Sequence, residues 1–180
     1  AATRHNVGFM VLKCLAKRLG VEWEASKKFN AHLAKSRQDG NIVFLSKPQG
    51  YMNLSGQSVV PLAQYYQIPN RRIMVVVDDL DLPLGAVRMR PGGGSGGHRG
   101  LDSIQGLLGK DDFPRLRLGI GRPKTNRDVS GFVLGKFADS ETGLLEKVLE
   151  TAADQLACWV LQGIGQAMNE YNGDYAPTEK

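Results

Sequence analysis

The chain has 180 residues, of which 42% are hydrophobic and 23% are charged, and its 23 Lys and Arg against 18 Asp and Glu give a net charge of +5. This apolar fraction argues against disorder, no apolar run reaches the ~18–20 residues of a membrane helix, and neither end has a secretory-signal pattern. Only Cys14 and Cys158 are present, without zinc-ligand spacing, so we expect a cytoplasmic protein with one domain over 1–180 and neither disulfide framework nor structural zinc.

Helix and strand patterns alternate along the chain. In chain order, apolar periodicity and β-branched runs predict a helix over 6–19, a strand over 42–45, a helix over 55–67, strands over 73–77 and 86–90, a helix over 101–108, a strand over 116–121 and a long helix over 144–160. Gly20 is expected to end the first helix. This alternation predicts an α/β sandwich with a mostly parallel or mixed sheet.

Charge is distributed unevenly along the chain. Residues 1–85 carry eleven basic and six acidic side chains, residues 86–136 carry ten and four, and residues 137–180 carry two and eight. A basic middle opposed by an acidic tail raises the hypothesis of an anionic partner such as nucleic acid on one face, although the charges alone slightly favour a merely solvated surface. Arg88, Arg90 and Arg117 belong to this basic middle.

A histidine and a group of carboxylates are candidates for catalysis. His5 lies in a polar segment just before the first helix, where its reference pKa of about 6.5 suits a general base, although a capping role also explains it. Asp78 follows an apolar strand, and ligands of open α/β sheets bind at such strand ends. Together with Asp79 and Asp81 it also offers a metal site. No further ligands cluster nearby, which favours a carboxylate that orients a base.

The segment Pro91–Gly100 is unusually rich in glycine. Five of the six residues 92–97 are glycine, and each costs a regular element roughly 0.5–1 kcal/mol relative to alanine. The segment has no P-loop or dinucleotide-binding spacing, but its amides precede a helix and could meet a phosphate. A disordered loop is the plain alternative. The embedded His98 and Arg99 favour a functional flap.

A second polar segment, Tyr51–Gly56, links a predicted strand to a predicted helix. Asn53 could cap that helix, a role for which Ser55 competes. The side-chain amide of Asn53 could equally clamp the main chain of a peptide-like ligand, because it offers both a donor and an acceptor.

Several motifs in order resemble the bacterial-type peptidyl-tRNA hydrolase family across essentially the whole chain. They are Thr3-Arg4-His5-Asn6-Val7-Gly8, Lys47-Pro48 with Tyr51-Met52-Asn53-Leu54-Ser55-Gly56, Asp78-Asp79-Leu80-Asp81-Leu82-Pro83, Gly96-Gly97-His98-Arg99-Gly100-Leu101, Pro114-Arg115-Leu116-Arg117-Leu118-Gly119-Ile120-Gly121-Arg122-Pro123 and Gly131-Phe132-Val133-Leu134-Gly135-Lys136. The resemblance implies a three-layer α/β sandwich around a twisted mixed sheet, acting as a monomer without metal or cofactor. It also implies cleavage of the ester that joins a peptide to tRNA, which recycles tRNA from abortive translation.

The resemblance assigns roles residue by residue. His5 would be the general base, Asp78 would orient it, and Asn53 would position the peptide main chain. The residues expected to bind the substrate are Met52, Tyr51, His98 and Arg99, with His98 on a mobile flap. The residues expected to meet tRNA phosphates are Arg88, Arg90 and Arg117.

Two departures from the family pattern stand out. The family begins with a further strand and a turn that carries an active-site Asn, so we expect this sheet to lack that strand. Its second signature normally reads His-Asn-Gly, whereas here Arg99 follows His98; an arginine cannot accept a hydrogen bond, but it can stabilise an oxyanion or bind the tRNA acceptor end. The alternative function is that of a non-catalytic RNA-binding relative, of the kind that acts in organellar splicing. Retention of His5, Asp78 and Asn53 favours the enzyme.

Overall fold

The computed structural model describes residues 3–123 and 128–177. They fall into two compact units, a first one drawn from Ala1–Leu15, Val76–Met89 and Leu116–Lys180 and a second one drawn from Ala16–Val75 and Arg90–Arg115. The helices are α1 (Val7–Leu19), α2 (Gly56–Tyr65), α3 (Arg99–Leu108), α4 (Val129–Leu134), α5 (Thr142–Gln162) and α6 (Ile164–Tyr171). The strands are β1 (Glu24–Ser26), β2 (Ala31–Gln38), β3 (Asn41–Pro48), β4 (Val75–Asp79), β5 (Ala86–Arg90), β6 (Arg115–Gly119) and β7 (Gly173–Asp174). Across these residues, no helix combines the length and apolarity needed to cross a membrane.

A four-stranded sheet with the order β4-β6-β5-β7 forms the core of the first unit. The amide of Val75 donates to the carbonyl of Pro114 and that of Ile120 donates to Asp79, so β4 and β6 run parallel. Strands β5 and β7 pair antiparallel, which makes the sheet mixed. The apolar side chains that this sheet buries completely are Val87, Met89, Leu116 and Leu118.

The second unit contains a three-stranded antiparallel sheet with the order β1-β2-β3. Strands β2 and β3 form a hairpin whose turn residues Asp39 and Gly40 both have positive φ, at 46° and 78°. This conformation is typical of the two-residue turn that matches strand twist, and Asp-Gly is a sequence that adopts it readily. The hairpin fixes the register in which Lys35 faces Phe44.

Most predicted elements are present, with informative shifts. Strand β5 spans the predicted 86–90, and Gly20 ends α1 with a φ of 63°. Strand β4 begins two residues later than predicted, because a 3-10 turn over Asn70–Arg72 precedes it. The strand also ends two residues later than predicted, so Asp78 lies inside it and is buried. Among the described residues no strand precedes α1, and Thr3 makes an isolated β-bridge with Lys136.

Candidate active site

His5 and Asp78 form a hydrogen-bonded pair in the first unit. His5 Nδ1 lies 2.8 Å from Asp78 Oδ1, and the exposed fraction of the side chain is 18% for His5 and 4% for Asp78. Because an ionised carboxylate can only accept, the hydrogen bond to an ionised Asp78 is donated by Nδ1. The pair therefore has the arrangement of a histidine that is oriented to take a proton from a substrate or from water.

A glycine allows the two residues to meet. His5 lies in the 3-10 turn Arg4–Asn6, directly before α1, whereas Asp78 is on β4. A Cβ on Gly8, in the first turn of α1, would lie 2.2 Å from the carbonyl oxygen of Val76 on β4. Any side chain at this position would push the helix away from the strand, and the histidine away from its carboxylate. The close approach of Val76 thus explains why the first motif has a glycine at position 8.

The neighbour of the histidine, Arg4, anchors this turn to a distant part of the chain. Its guanidinium is nearly buried and lies 4.5 Å from the ring centre of Phe132 and 4.6 Å from that of Phe137. It donates a 2.6 Å hydrogen bond to Oε2 of Glu141, and its amide donates to the carbonyl of Gly135 at 2.9 Å. Sequence analysis missed this role, because the partners lie more than 120 residues away along the chain.

The surroundings of Glu141 keep its carboxylate charged, as its ion pair with Arg4 requires. Burial raises the pKa of Glu141, but the hydrogen bonds from Arg4 and from the amide of Ala138 outweigh burial, and the net pKa is lowered. The carboxylate therefore stays ionised around neutral pH and holds the guanidinium beside the turn of His5.

The other two carboxylates of this segment, Asp79 at the end of β4 and Asp81 just beyond it, are engaged by arginines. Asp79 Oδ2 lies 3.5 Å from a guanidinium nitrogen of Arg117, and its Oδ1 accepts from the amide of Asp81 at 2.8 Å. Asp81 forms an ion pair with Arg122. These contacts favour the interpretation in which Asp78 orients a base over the one in which the three acids bind a metal.

In the second unit, the segment with Asn53 packs against the start of α3. Met52 and Asn53 belong to a 3-10 turn, Met52–Leu54; Asn53 and the preceding residue, Tyr51, are exposed. A Cβ on Gly100 would lie 2.9 Å from the sulfur of Met52, and the amide of Gly56 donates to the hydroxyl of Ser103 at 2.9 Å. Ser55 occupies the N-cap position of α2, but its hydroxyl donates back to the carbonyl of Met52, so its side chain makes no capping hydrogen bond. The segment Tyr51–Gly56 therefore lies beside the end of the glycine-rich segment Pro91–Gly100.

His98 caps the helix that follows it. Its Nδ1 accepts from the amides of Gly100 and Leu101 at 3.1 and 3.3 Å. The sequence indicated that amides of this segment could bind a phosphate, but in the structure these two donate to the imidazole of His98. Because Nδ1 accepts, Nε2 carries the proton. Arg99, the first residue of α3, is exposed.

A buried arginine shapes the first half of the glycine-rich segment. Arg115 is fully buried and donates to the carbonyls of Gly93 and Gly94 as well as to those of Asp111 and Phe113. Gln105 adds a second donor to the Gly93 carbonyl, at 2.8 Å. Hydrogen bonds from these two side chains thus hold the backbone of this part of the segment in place.

The arginines predicted to meet tRNA phosphates differ in their surroundings. Arg88 on β5 is half-buried and donates to its own neighbour's carbonyl, that of Val87. Arg117 on the adjacent strand β6 is engaged by Asp79, as described above. Arg90, the last residue of β5, is exposed.

The chain thus has an α/β fold with a mixed sheet, and a histidine in its first unit is held by a buried carboxylate. Residues 1–179 match the family model for peptidyl-tRNA hydrolase, and the chain belongs to this family. It is 44% identical over 172 residues to a peptidyl-tRNA hydrolase from Desulfitobacterium hafniense, covering 96% of this chain and 92% of the relative. It is 45% identical over 168 residues to one from Nocardia farcinica, covering 93% and 87%.

Solved structures give the same result and confirm the predicted fold class. A peptidyl-tRNA hydrolase in complex with N-propanol superposes with a TM-score of 0.92 at 38% identity, covering 98% of this chain and 90% of that chain. The enzyme from Acinetobacter baumannii gives a TM-score of 0.91 at 39% identity, covering 97% and 89%.

Proposed function

We propose that this protein hydrolyses the ester bond between a peptide, or an N-blocked amino acid, and tRNA, and so recycles tRNA from abortive translation. The observation that carries the proposal is the 2.8 Å contact between His5 Nδ1 and the buried carboxylate of Asp78. Membership of the peptidyl-tRNA hydrolase family supports the substrate. Because translation takes place in the cytoplasm, the proposal also places the protein there, as a monomer that binds tRNA.

In the proposed reaction His5 is the general base. Its Nε2 takes a proton from a water molecule, whose oxygen attacks the ester carbonyl carbon. The tetrahedral intermediate then collapses, the bond from this carbon to the ribose oxygen breaks, and the imidazolium returns its proton to that oxygen. The products are a tRNA with a free terminal hydroxyl and a peptide carboxylic acid, which ionises to the carboxylate by releasing its proton to solvent. Asp78 stabilises the imidazolium that forms in between, and general-base catalysis of this kind contributes about 10²–10⁴ in rate.

The substrate-binding roles fall to the second unit. We propose that Asn53, with Met52 and Tyr51, positions the peptide main chain, since the exposed amide of Asn53 offers a donor and an acceptor. Arg99 offers a permanent positive charge, which suits the developing oxyanion or a phosphate of the acceptor end. His98 holds the start of α3, so it supports Arg99 in addition to any contact of its own.

Hydrolysis of an N-blocked aminoacyl-tRNA tests the proposal directly. Release of the N-blocked amino acid at catalytic protein concentrations is the expected result. Tight tRNA binding without release would contradict it and would support a non-catalytic RNA-binding protein instead.

Asp78→Asn is expected to lower the rate of this hydrolysis by about 10- to 150-fold. The carboxylate gives His5 a hydrogen bond to a charged group, a contribution of about 1.5–3 kcal/mol, and the neutral amide stabilises the imidazolium less. Asp81→Asn, three residues beyond Asp78 and exposed, is the matched control and should keep the wild-type rate. A wild-type kcat in Asp78→Asn, with the fold verified by circular dichroism, would make Asp78 a purely structural residue.

Arg90→Ala is expected to weaken tRNA binding and to make it less dependent on salt. One lost phosphate contact lowers the slope of log affinity against log salt by about 0.7–0.9. Lys17→Ala, an exposed cation on α1, serves as the control for a general change in charge. Parallel slopes with equal affinities for wild type and Arg90→Ala would contradict the assignment of Arg90 to tRNA binding.

A further inference from the structure

A cluster of aromatic and cationic side chains lies in the second unit, apart from the residues assigned above. It consists of Phe44 on β3, Tyr65 and Tyr66 at the end of α2, Lys28 before β2 and Lys35 on β2. We call this set the aromatic–lysine surface. The proposed reaction uses none of its members.

The rings of the aromatic–lysine surface are in direct contact. The ring centres of Tyr66 and Phe44 are 4.3 Å apart, and those of Tyr65 and Tyr66 are 4.9 Å apart in an edge-to-face arrangement. Beneath them, the buried ring of Phe29 contacts Tyr65 edge-on at 5.7 Å. The tyrosines therefore stand on a packed base that holds their rings in place.

Two lysines lie against these rings. Nζ of Lys28 is 3.2 Å from the ring centre of Tyr65, and Nζ of Lys35 is 5.8 Å from that of Phe44. Cations at such positions are attracted by the ring electrons. They also place positive charge within a few ångströms of an aromatic face, where a base and its adjoining phosphate would both find a partner.

The tyrosine rings are largely open to solvent. Tyr65 is 59% exposed and Tyr66 is 43% exposed. The two tyrosines cover the buried Phe29, which explains why aromatic residues are present here. Much of the surface of these adjacent tyrosines nevertheless remains exposed to solvent. Single exposed apolar residues are ordinary on protein surfaces, whereas contiguous ones mark contact sites.

The surrounding sequence is strongly basic. Residues 25–77, all of which belong to the second unit apart from 76 and 77, carry seven Lys and Arg and one acidic residue, Asp39. On the hairpin, Arg37 faces Ile42 two positions beyond the pair of Lys35 and Phe44, and cross-strand partners at this spacing share a face of the sheet. On that face, the basic side chains of β2 thus stand opposite apolar side chains of β3.

We propose that the aromatic–lysine surface binds unpaired bases and adjoining phosphates of the tRNA body, as a contact additional to the arginines of the basic middle. The proposal rests on the proposed function, which makes tRNA the partner. Exposed aromatic rings interleaved with cations are how proteins hold single-stranded RNA, since each base has a face that stacks and each phosphate a charge that pairs. An acidic protein partner would use the lysines but would leave the adjacent ring faces without a specific role.

The test measures binding of deacylated tRNA to the double variant Tyr65→Ala/Tyr66→Ala. Loss of one stacked base lowers affinity by about 5- to 150-fold, and we expect a decrease in that range with an unchanged salt slope. Tyr65→Phe/Tyr66→Phe keeps both rings and should bind like the wild type. Leu161→Ala removes an exposed apolar side chain from α5 and is the matched control.

The lysines give an independent measurement. Lys28→Ala/Lys35→Ala should weaken binding and lower the salt slope by about 1.4–1.8, since two phosphate contacts are lost. Wild-type affinity in both double variants, with circular dichroism and thermal midpoint unchanged, would overturn the inference and leave the surface to a protein partner. An alanine variant that unfolds is replaced by Tyr65→Leu/Tyr66→Leu, which keeps apolar bulk without a stacking face. Hydrolysis by the wild type is scored separately, so that failure of the proposed function is distinguishable from failure of this inference.

Discussion

Replacing His5 with alanine is expected to lower the rate of ester hydrolysis by about 10²–10⁴-fold. Alanine removes the imidazole that Asp78 contacts, and with it the group proposed to take a proton from water. The decrease should fall on kcat, because the proposed phosphate contacts and the polar segment of Asn53 are unchanged. Single-turnover hydrolysis of an N-blocked aminoacyl-tRNA measures the chemical step without interference from product release.

His32→Ala is the matched control for this experiment. His32 is also a partly buried histidine, but it lies on β2, where it faces Lys47 across the strand pair. Its replacement should leave the rate within a factor of a few of the wild type. A rate near normal in His5→Ala, measured on protein that still binds tRNA, would remove His5 from the mechanism.

Replacing Arg115 with methionine is expected to lower the free energy of unfolding by about 2–4 kcal/mol. Methionine fills similar space, but it donates no hydrogen bond to the carbonyls of Gly93, Gly94, Asp111 and Phe113 that Arg115 now holds. Hydrogen bonds from a charged donor contribute about 1.5–3 kcal/mol each, and water replaces part of the loss at the exposed glycines. Urea-induced unfolding gives the value.

Arg122→Met provides the comparison for Arg115→Met. Arg122 forms an ion pair with Asp81, but this pair is exposed to solvent. Its loss should therefore lower the free energy of unfolding by less than about 1 kcal/mol. Hydrogen exchange at Gly93 and Gly94 should accelerate in Arg115→Met and not in Arg122→Met. Equal stabilities for the two variants would show that the buried guanidinium does not organise the glycine-rich segment.

Much of the fold was predictable from local sequence, because helices and strands that bury one face show the period of that face. The pattern that gave β5 and α1 is of this kind. Strand β2 was missed because its sequence, Ala31–Gln38, is poor in β-branched residues and forms a strand through its pairing with β3. The Asp39-Gly40 turn was a usable signal for this hairpin.

The site was predictable to a lesser extent. The resemblance named His5 and Asp78, and the structure brings them into contact, while their roles in catalysis remain predictions. The supports around them could not be predicted from one sequence. Arg4 and Glu141 are far apart in the sequence and come into contact only in the folded chain. The need for a glycine at position 8 is explained only by the carbonyl of Val76, which lies beside it in the structure.

The contact of Gly8 with Val76 also sets a limit for protein engineering. Exchanging a helical glycine for alanine is a standard way to raise thermal stability, and an exposed helix gains about 1 kcal/mol from it. In α1 the same exchange would drive a methyl group into the backbone of β4. A library of stabilising substitutions built on helix propensity alone would select against activity at this position. The first turn of α1 should therefore be held constant while stability is sought at exposed positions such as Lys13 and Lys17.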